Sequence, residues 1–333
     1  MASSNPLEWP EAVVPVQTLS GSGMSTVPRQ YIKPPSERPS GSTNDPNLKI
    51  PVIDLASFSN APDHHQAMLE IVADACKDWG FFQVVNHDVD MEVVKRMRGA
   101  WREFFALPME EKKVYANLPV TYEGYGSRLG VEKEAILDWN DYYFLNLFPS
   151  DIRNLDKWPK IPTDLRETTE KYACQLISLC QVLLKAVSSS LGLEEDYLLS
   201  AFGGTDGISA TMRANYYPRC PQPELTLGIS AHSDPGGITL LLADDNVEGT
   251  QECGAPCAGQ HSDEDRHTIA FFCNPRGDLP IAPASELVHP ESPALYQKAV
   301  TFNDYRKYIR TKGPSGRMQI QSINSTMQPE PAA

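Results

Sequence analysis

His232 and Asp234 stand two apart in "ISAHSDPGGITLLL". If that stretch is extended, alternation sends both side chains to one face. A neutral imidazole beside a carboxylate is two thirds of the facial donor set that holds non-haem Fe(II) and leaves coordination positions open for oxygen chemistry. Alone, the pair is also an ordinary solvated strand end. A second pair adds weight. Arg266 and Thr268 in "RHTIAFF" share a face, and a guanidinium fork beside a hydroxyl suits a carboxylate. Tyr217 in "NYYPRCPQPEL" adds a phenol that can donate to the same anion. Cys253, Cys257 and His261 form C-x3-C-x3-H in a Gly/Ala-rich loop, which lacks a fourth zinc ligand and reads as coincidence.

Such residues need a sheet to converge. After Gly203 the chain becomes short β-type runs broken by Pro and Gly: "ATMRANYYP", "LTLGISAH", "GITLLLA" and "RHTIAFF". These fit a sandwich or jelly roll. Before them, Tyr172, Leu176, Leu179, Leu183 and Val187 recur at helical spacing over 165–191, with Gly192 placed for a left-handed cap. That helix should support the sheet. "IPVIDLASF" predicts a short strand, 64–79 a helix, "GFFQVVNH" a buried strand and the stretch to Leu107 another helix. The stretch "ALYQKAVTFNDYRKYIRTKG" is expected to be helical. Residues 1–48, rich in Pro, Ser, Gly and Asn, and the tail 319–333 are expected to be disordered.

The 333 residues can bury a large core. A net charge of −14 and a pI near 5.0 argue against nucleic acid or an anionic membrane surface, which need a basic stripe. A small-molecule partner fits better; oligomeric state is not read from the chain. No basic start precedes an apolar run at the N-terminus, and no stretch is expected to span a bilayer. Seven cysteines, an odd number, suit a reducing compartment. The expectation is cytoplasmic, with the nucleus also open.

"NYYPRCPQPELTLGISAHSDPGGITLLLADD" and "AFFCNPRGDLPI" resemble the catalytic core of the plant iron(II)- and 2-oxoglutarate-dependent dioxygenases, the group that contains leucoanthocyanidin dioxygenase. "IPVIDLASF", "CKDWGFFQVVNH" and "WREFFALPMEEKK" resemble its N-terminal domain, so the likeness runs from about residue 48 to 318. "YEGYGSRLGVEKEAILDWNDYYF" and "RTKGPSGR" are most similar to the jasmonate-induced oxygenases. The resemblance implies an α+β protein: a mixed N-terminal dioxygenase domain over 49–150, helical support over 151–204, and a double-stranded β-helix flanked by helices over 205–318. It assigns His232 and Asp234 to Fe(II), and Arg266, Thr268, Tyr217 and Asn215 to 2-oxoglutarate, with O2 as oxidant and ascorbate supporting activity. Arg213 and Arg306 become candidates to pair a substrate carboxylate such as that of jasmonic acid, with Phe272 lining an apolar wall. Tyr122, Tyr125, Tyr142, Tyr143 and Phe144 could add aromatic surface, and Arg128 is a weaker candidate for the same pocket. Flavonoid oxidation, or a catalytically impaired remnant that only binds, are the alternatives.

The pattern breaks at one point. The family's second iron histidine precedes the clamp arginine by about ten residues, because one hairpin carries both. Here that position is Pro256, which has no donor atom. His261 is the possible stand-in; His267, next to Arg266, should face the other way. Only 32 positions separate Asp234 from Arg266, where relatives use about sixty to run several barrel strands. The barrel is therefore expected to be truncated near 246–261.

Overall fold

The computed structural model describes residues 14–39, 49–56, 62–119, 121–127, 135–244, 264–294 and 299–312. The expectations for Arg128, Cys253, Cys257, Pro256, His261 and the tail 319–333 therefore fall outside the described residues. Seven helices are described: α1 (Val16–Gly21), α2 (Pro62–Asp74), α3 (Met91–Ala106), α4 (Met109–Lys113), α5 (Leu165–Ser190), α6 (Tyr197–Ala201) and α7 (Phe302–Lys312). Strands β1 (Val52–Asp54) and β2 (Gln83–Val85) pair in parallel. β3 (Gly124–Gly126), β4 (Asp141–Phe148), β5 (Ser209–Tyr217), β6 (Ile238–Leu242) and β7 (Arg266–Asn274) form an antiparallel sheet in the order β3-β4-β5-β7-β6. β8 (Pro280–Ile281) and β9 (Val300–Thr301) make a small antiparallel pair that leads into α7.

Period-two alternation gives the large sheet two unlike faces. Leu145, Leu147, Met212, Ala214, Ile269, Phe271 and Cys273 join the core, against Met97, Trp101, Phe104 and Phe105 of α3 and Leu176, Leu179, Cys180 and Leu183 of α5. The alternate residues of β5 are Ser209, Thr211, Arg213, Asn215 and Tyr217, and every one of them is buried. A strand that hides its polar face as well as its apolar one lines an enclosed site, because a polar row is otherwise turned to water.

Gly192 adopts φ +74° after α5, and Leu193 N–H reaches back to the Ser188 carbonyl, closing the helix as its sequence predicts. By length and composition α5 could span a bilayer, contrary to the expectation that no stretch would. Its apolar stripe, however, packs into the core.

Three expectations are corrected. The first concerns the N-terminal segment. Residues 14–39 are not disordered: Val16, Val27 and Tyr31 form a second core with Leu137, Trp139 and Cys220, and Tyr31 meets Trp139 edge to face at 5.2 Å. Their apolar residues have no period to read, and they are ordered by partners more than a hundred residues away. Second, "GFFQVVNH" yields only β2, whose outer residues are exposed. Third, "LTLGISAH" forms no strand. Its backbone is satisfied from the side instead: Trp139 N–H donates to the Leu227 carbonyl at 2.8 Å, and Asn140 Nδ2 to the Gly228 carbonyl at 2.6 Å. The described strands make one five-stranded sheet and two two-stranded pairs.

Candidate active site

Cross-strand register gathers the predicted anion clamp. Asn215 lies opposite Thr268, Tyr217 opposite Arg266, Arg213 opposite Ala270 and Thr211 opposite Phe272. These side chains share the polar face, together with Tyr142 opposite Asn215 and Thr239 opposite Phe272. Asn215 Nδ2 donates to Thr268 Oγ1 at 3.1 Å, and the Arg266 guanidinium lies over the Tyr217 ring at 5.1 Å. Asn215, Thr268 and Arg266 are buried, and Asn215 Oδ1 has no hydrogen-bond partner. A buried guanidinium, hydroxyl and phenol on adjacent strands suit one carboxylate of a small diacid. The unpaired amide oxygen can receive a donor on or beside it.

His232 and Asp234 sit, partly exposed, in the loop that enters β6, where Gly236 and Gly237 bring the backbone against Asn274 and Phe202 and a Cβ would collide at 2.2 and 2.1 Å. His232 Nε2 is 3.4 Å from Asp234 Oδ1. Its other ring nitrogen, Nδ1, is 2.8 Å from the Ser230 carbonyl. Thr239 Oγ1, on the polar face, donates to Asp234 Oδ2 at 2.6 Å, which ties the carboxylate to the sheet. The hydrogen bond with Asp234 raises the His232 pKa above its ordinary value. Burial alone would raise the Asp234 carboxyl, but hydrogen bonds from His232 and Thr239 outweigh it and hold the group below the usual carboxylate range. The positive charge of Arg213 bears on both residues and lowers the pKa of each.

Arg213 is 9% exposed, and its guanidinium lies 4.2 Å over the Tyr142 ring. Its Nε and Nη2 are buried without a hydrogen-bond partner. Phe272 is half-buried on the same face. Arg306 lies on α7 with its guanidinium 5.6 Å over the Phe302 ring. Sequence reasoning did not single out Thr239, Ser230, Asp138 or Lys33. Thr239 carried a local signal, lying in the strand next to Asp234; the others did not.

Among the described residues no group of three His, Cys, Asp or Glu side chains could hold a metal. The described residues thus fit Fe(II) with one imidazole and one carboxylate, two donors of the three that a facial set needs. They fit 2-oxoglutarate with a complete clamp.

His267 faces the core, as alternation requires, 4.8 Å from the Tyr216 ring and 5.8 Å from Phe105. Burial pushes its pKa down to about 4, against an opposing pull from Asp244. In the unfolded chain the ring titrates near 6.5, so acid protonates the unfolded state first. The neutral ring's contribution to stability is intact above that value and is lost as pH falls towards 4. We expect wild-type unfolding free energy to drop over that window by up to about 3 kcal/mol more than that of His267→Phe. Parallel urea-denaturation curves against pH would contradict it.

Comparison with known proteins agrees with this geometry. Residues 50–161 match the family of the non-haem dioxygenase in morphine synthesis N-terminal region, and residues 208–279 the 2OG-Fe(II) oxygenase superfamily. Jasmonate-induced oxygenase 4 of Arabidopsis thaliana is 47% identical over 350 aligned positions, covering 95% of this chain and 98% of that protein. Since 95% of 333 residues is about 316, about 34 of those positions face no residue here. Leucoanthocyanidin dioxygenase of Malus domestica is 39% identical, with 68% of this chain and 66% of that protein covered. A crystal structure of JOX2 in complex with 2OG, Fe and JA superposes with a TM-score of 0.84 at 42% identity, covering 95% of this chain and 98% of that one. Matched along almost its whole length, the chain belongs to the 2OG-Fe(II) oxygenase family.

Proposed function

We propose that this protein hydroxylates a small carboxylated substrate such as jasmonic acid, coupled to decarboxylation of 2-oxoglutarate to succinate. Arg266, Thr268 and Tyr217 receive the far carboxylate of 2-oxoglutarate, and Asn215 braces Thr268 and offers its free oxygen to the cavity. His232 and Asp234 hold Fe(II), which supplies the oxidising chemistry when bound. His261, the remaining imidazole proposed for that metal, lies outside the described residues. The protein's own part is to orient both acids against the polar face of the sheet.

One observation carries the choice of an acidic substrate: the buried Arg213 guanidinium, with Nε and Nη2 unpaired, whose charge bears on the His/Asp pair. A buried cation is stable only when paired and hydrogen-bonded, and a substrate carboxylate supplies what Arg213 lacks. The relative solved with JA supports the same class. A flat neutral flavonoid would stack on Tyr142 and Phe144 and leave the cation unmet.

Arg213→Leu is expected to lower kcat/KM for jasmonic acid by about 100- to 1000-fold, the effect of losing one partner of a buried charge pair. Succinate release from 2-oxoglutarate without added acid should persist. Equal loss of both would show a folding defect, and unchanged turnover would move the substrate elsewhere. A second reading, a chain that binds the co-substrate without turnover, is favoured by the two-donor metal site and is separated by metal retention, argued below.

A further inference from the structure

Lys33 has no part in the clamp and belongs to a segment with no readable pattern, yet it is among the most buried cations of the protein, at 2% exposure. Both its backbone groups are anchored: its N–H donates to the Leu225 carbonyl at 2.9 Å, and its own carbonyl accepts from Arg38 Nε at 2.9 Å. The ammonium is 2.8 Å from Asp138 Oδ1 and donates to Ser230 Oγ at 2.8 Å. Asp138 in turn grips Ser230 twice, accepting from its N–H at 2.9 Å on Oδ2 and from its hydroxyl at 2.6 Å on Oδ1. Lys33, Asp138 and Ser230 thus close a triangle in which each polar group meets two partners.

The consequence falls on residue 232. With its N–H and hydroxyl both fixed by one carboxylate, the Ser230 residue has little rotational freedom, and its carbonyl is aimed at His232 Nδ1, 2.8 Å away. In a neutral imidazole one nitrogen carries the proton and the other a lone pair. Two acceptors compete for that proton, the Ser230 carbonyl at Nδ1 and Asp234 Oδ1 at Nε2, 3.4 Å away. The shorter, fixed contact holds a proton on Nδ1 and so orients the ring, with Nε2 on the Asp234 side. A ligating histidine needs this arrangement, its distal N–H held by a carbonyl and its tautomer set.

We infer that Lys33 is a positioning residue for His232, acting through Asp138 and Ser230, so that the N-terminal segment helps set the metal edge of the site. This rests on the reading of His232 as a metal donor. A buried ammonium contributes little net stability compared with an apolar side chain, which fits a role in specifying geometry.

The test uses the full chain, 15N-labelled at histidine and metal-free, with the ring shifts followed upwards in pH until they stop changing. Ring nitrogen shifts, assigned with His232→Gln, report the tautomer. Wild type should show the proton on Nδ1. Lys33→Met and, independently, Ser230→Ala should move population to the Nε2–H form. Anaerobic Fe(II) titration should show about 10- to 100-fold weaker binding for both, the usual effect of losing the group that orients a ligand. Ser230→Ala keeps the test open if Lys33→Met fails to fold. A tautomer shift in proteins that never bind iron would uphold the positioning and sink only the ligand assignment. An unchanged tautomer in a folded variant would overturn the inference.

Discussion

Arg266→Leu should weaken 2-oxoglutarate binding at least 100-fold, measured by anaerobic calorimetric titration in the presence of Fe(II). The magnitude follows from where the guanidinium sits. It is 9% exposed, faces the enclosed side of β7, and stacks on the phenol ring of its cross-strand partner Tyr217. Removing it leaves the co-substrate's far carboxylate in a buried pocket with a hydroxyl and a phenol but no cation. One bidentate charge-assisted pair is worth about 1.5 to 3 kcal/mol, and an anion stranded in a dry site costs several more. At 1.4 kcal/mol per decade the lower end gives about tenfold and the stranded charge accounts for the rest. Arg266→Lys should fall between, since a point charge lacks the planar fork. A binding constant unchanged in Arg266→Leu would place the carboxylate elsewhere.

The clamp was legible because it depends on local rules. Two residues in one strand, spaced two apart, share a face, and pairing β5 with β7 needed only alternation to bring Tyr217, Asn215, Thr268 and Arg266 together. The same rules read α5 and its Gly192 cap. What failed was non-local. Tyr31 is buried by Trp139, and Lys33 is satisfied 105 residues away at Asp138; neither partner has any signature near residue 31. The loop bearing His232 looked like a strand from its Leu and Ile content, but glycines 236 and 237 and the side chains of 138–140 take over the work of a ladder. The chain's short connection from Asp234 to Arg266 was legible as a count.

That short connection makes the donor pair decisive. Asp234→Ala should lower Fe(II) affinity by at least about 100-fold and abolish succinate formation, because even groups that merely orient a ligand are worth about 10- to 100-fold. The carboxylate is also the one member of the pair held by the sheet, through Thr239, so its loss frees the loop as well as removing a donor. With so few protein donors among the described residues, the co-substrate's chelating oxygens weigh more in the total than in a site with three. Metal and 2-oxoglutarate must then raise each other's affinity by the same factor. We expect wild type to retain Fe(II) through anaerobic dialysis with 2-oxoglutarate present and to lose most of it when the co-substrate is omitted. Arg266→Leu should behave as wild type does without co-substrate. His261→Ala added to wild type decides whether that imidazole completes the set: a further loss of retained metal with the clamp intact assigns it, and no change leaves iron on His232, Asp234 and the co-substrate. If wild type folds, binds 2-oxoglutarate and still releases all of its iron, the oxygenase reading fails, and a binding protein with the family's clamp but not its chemistry takes its place.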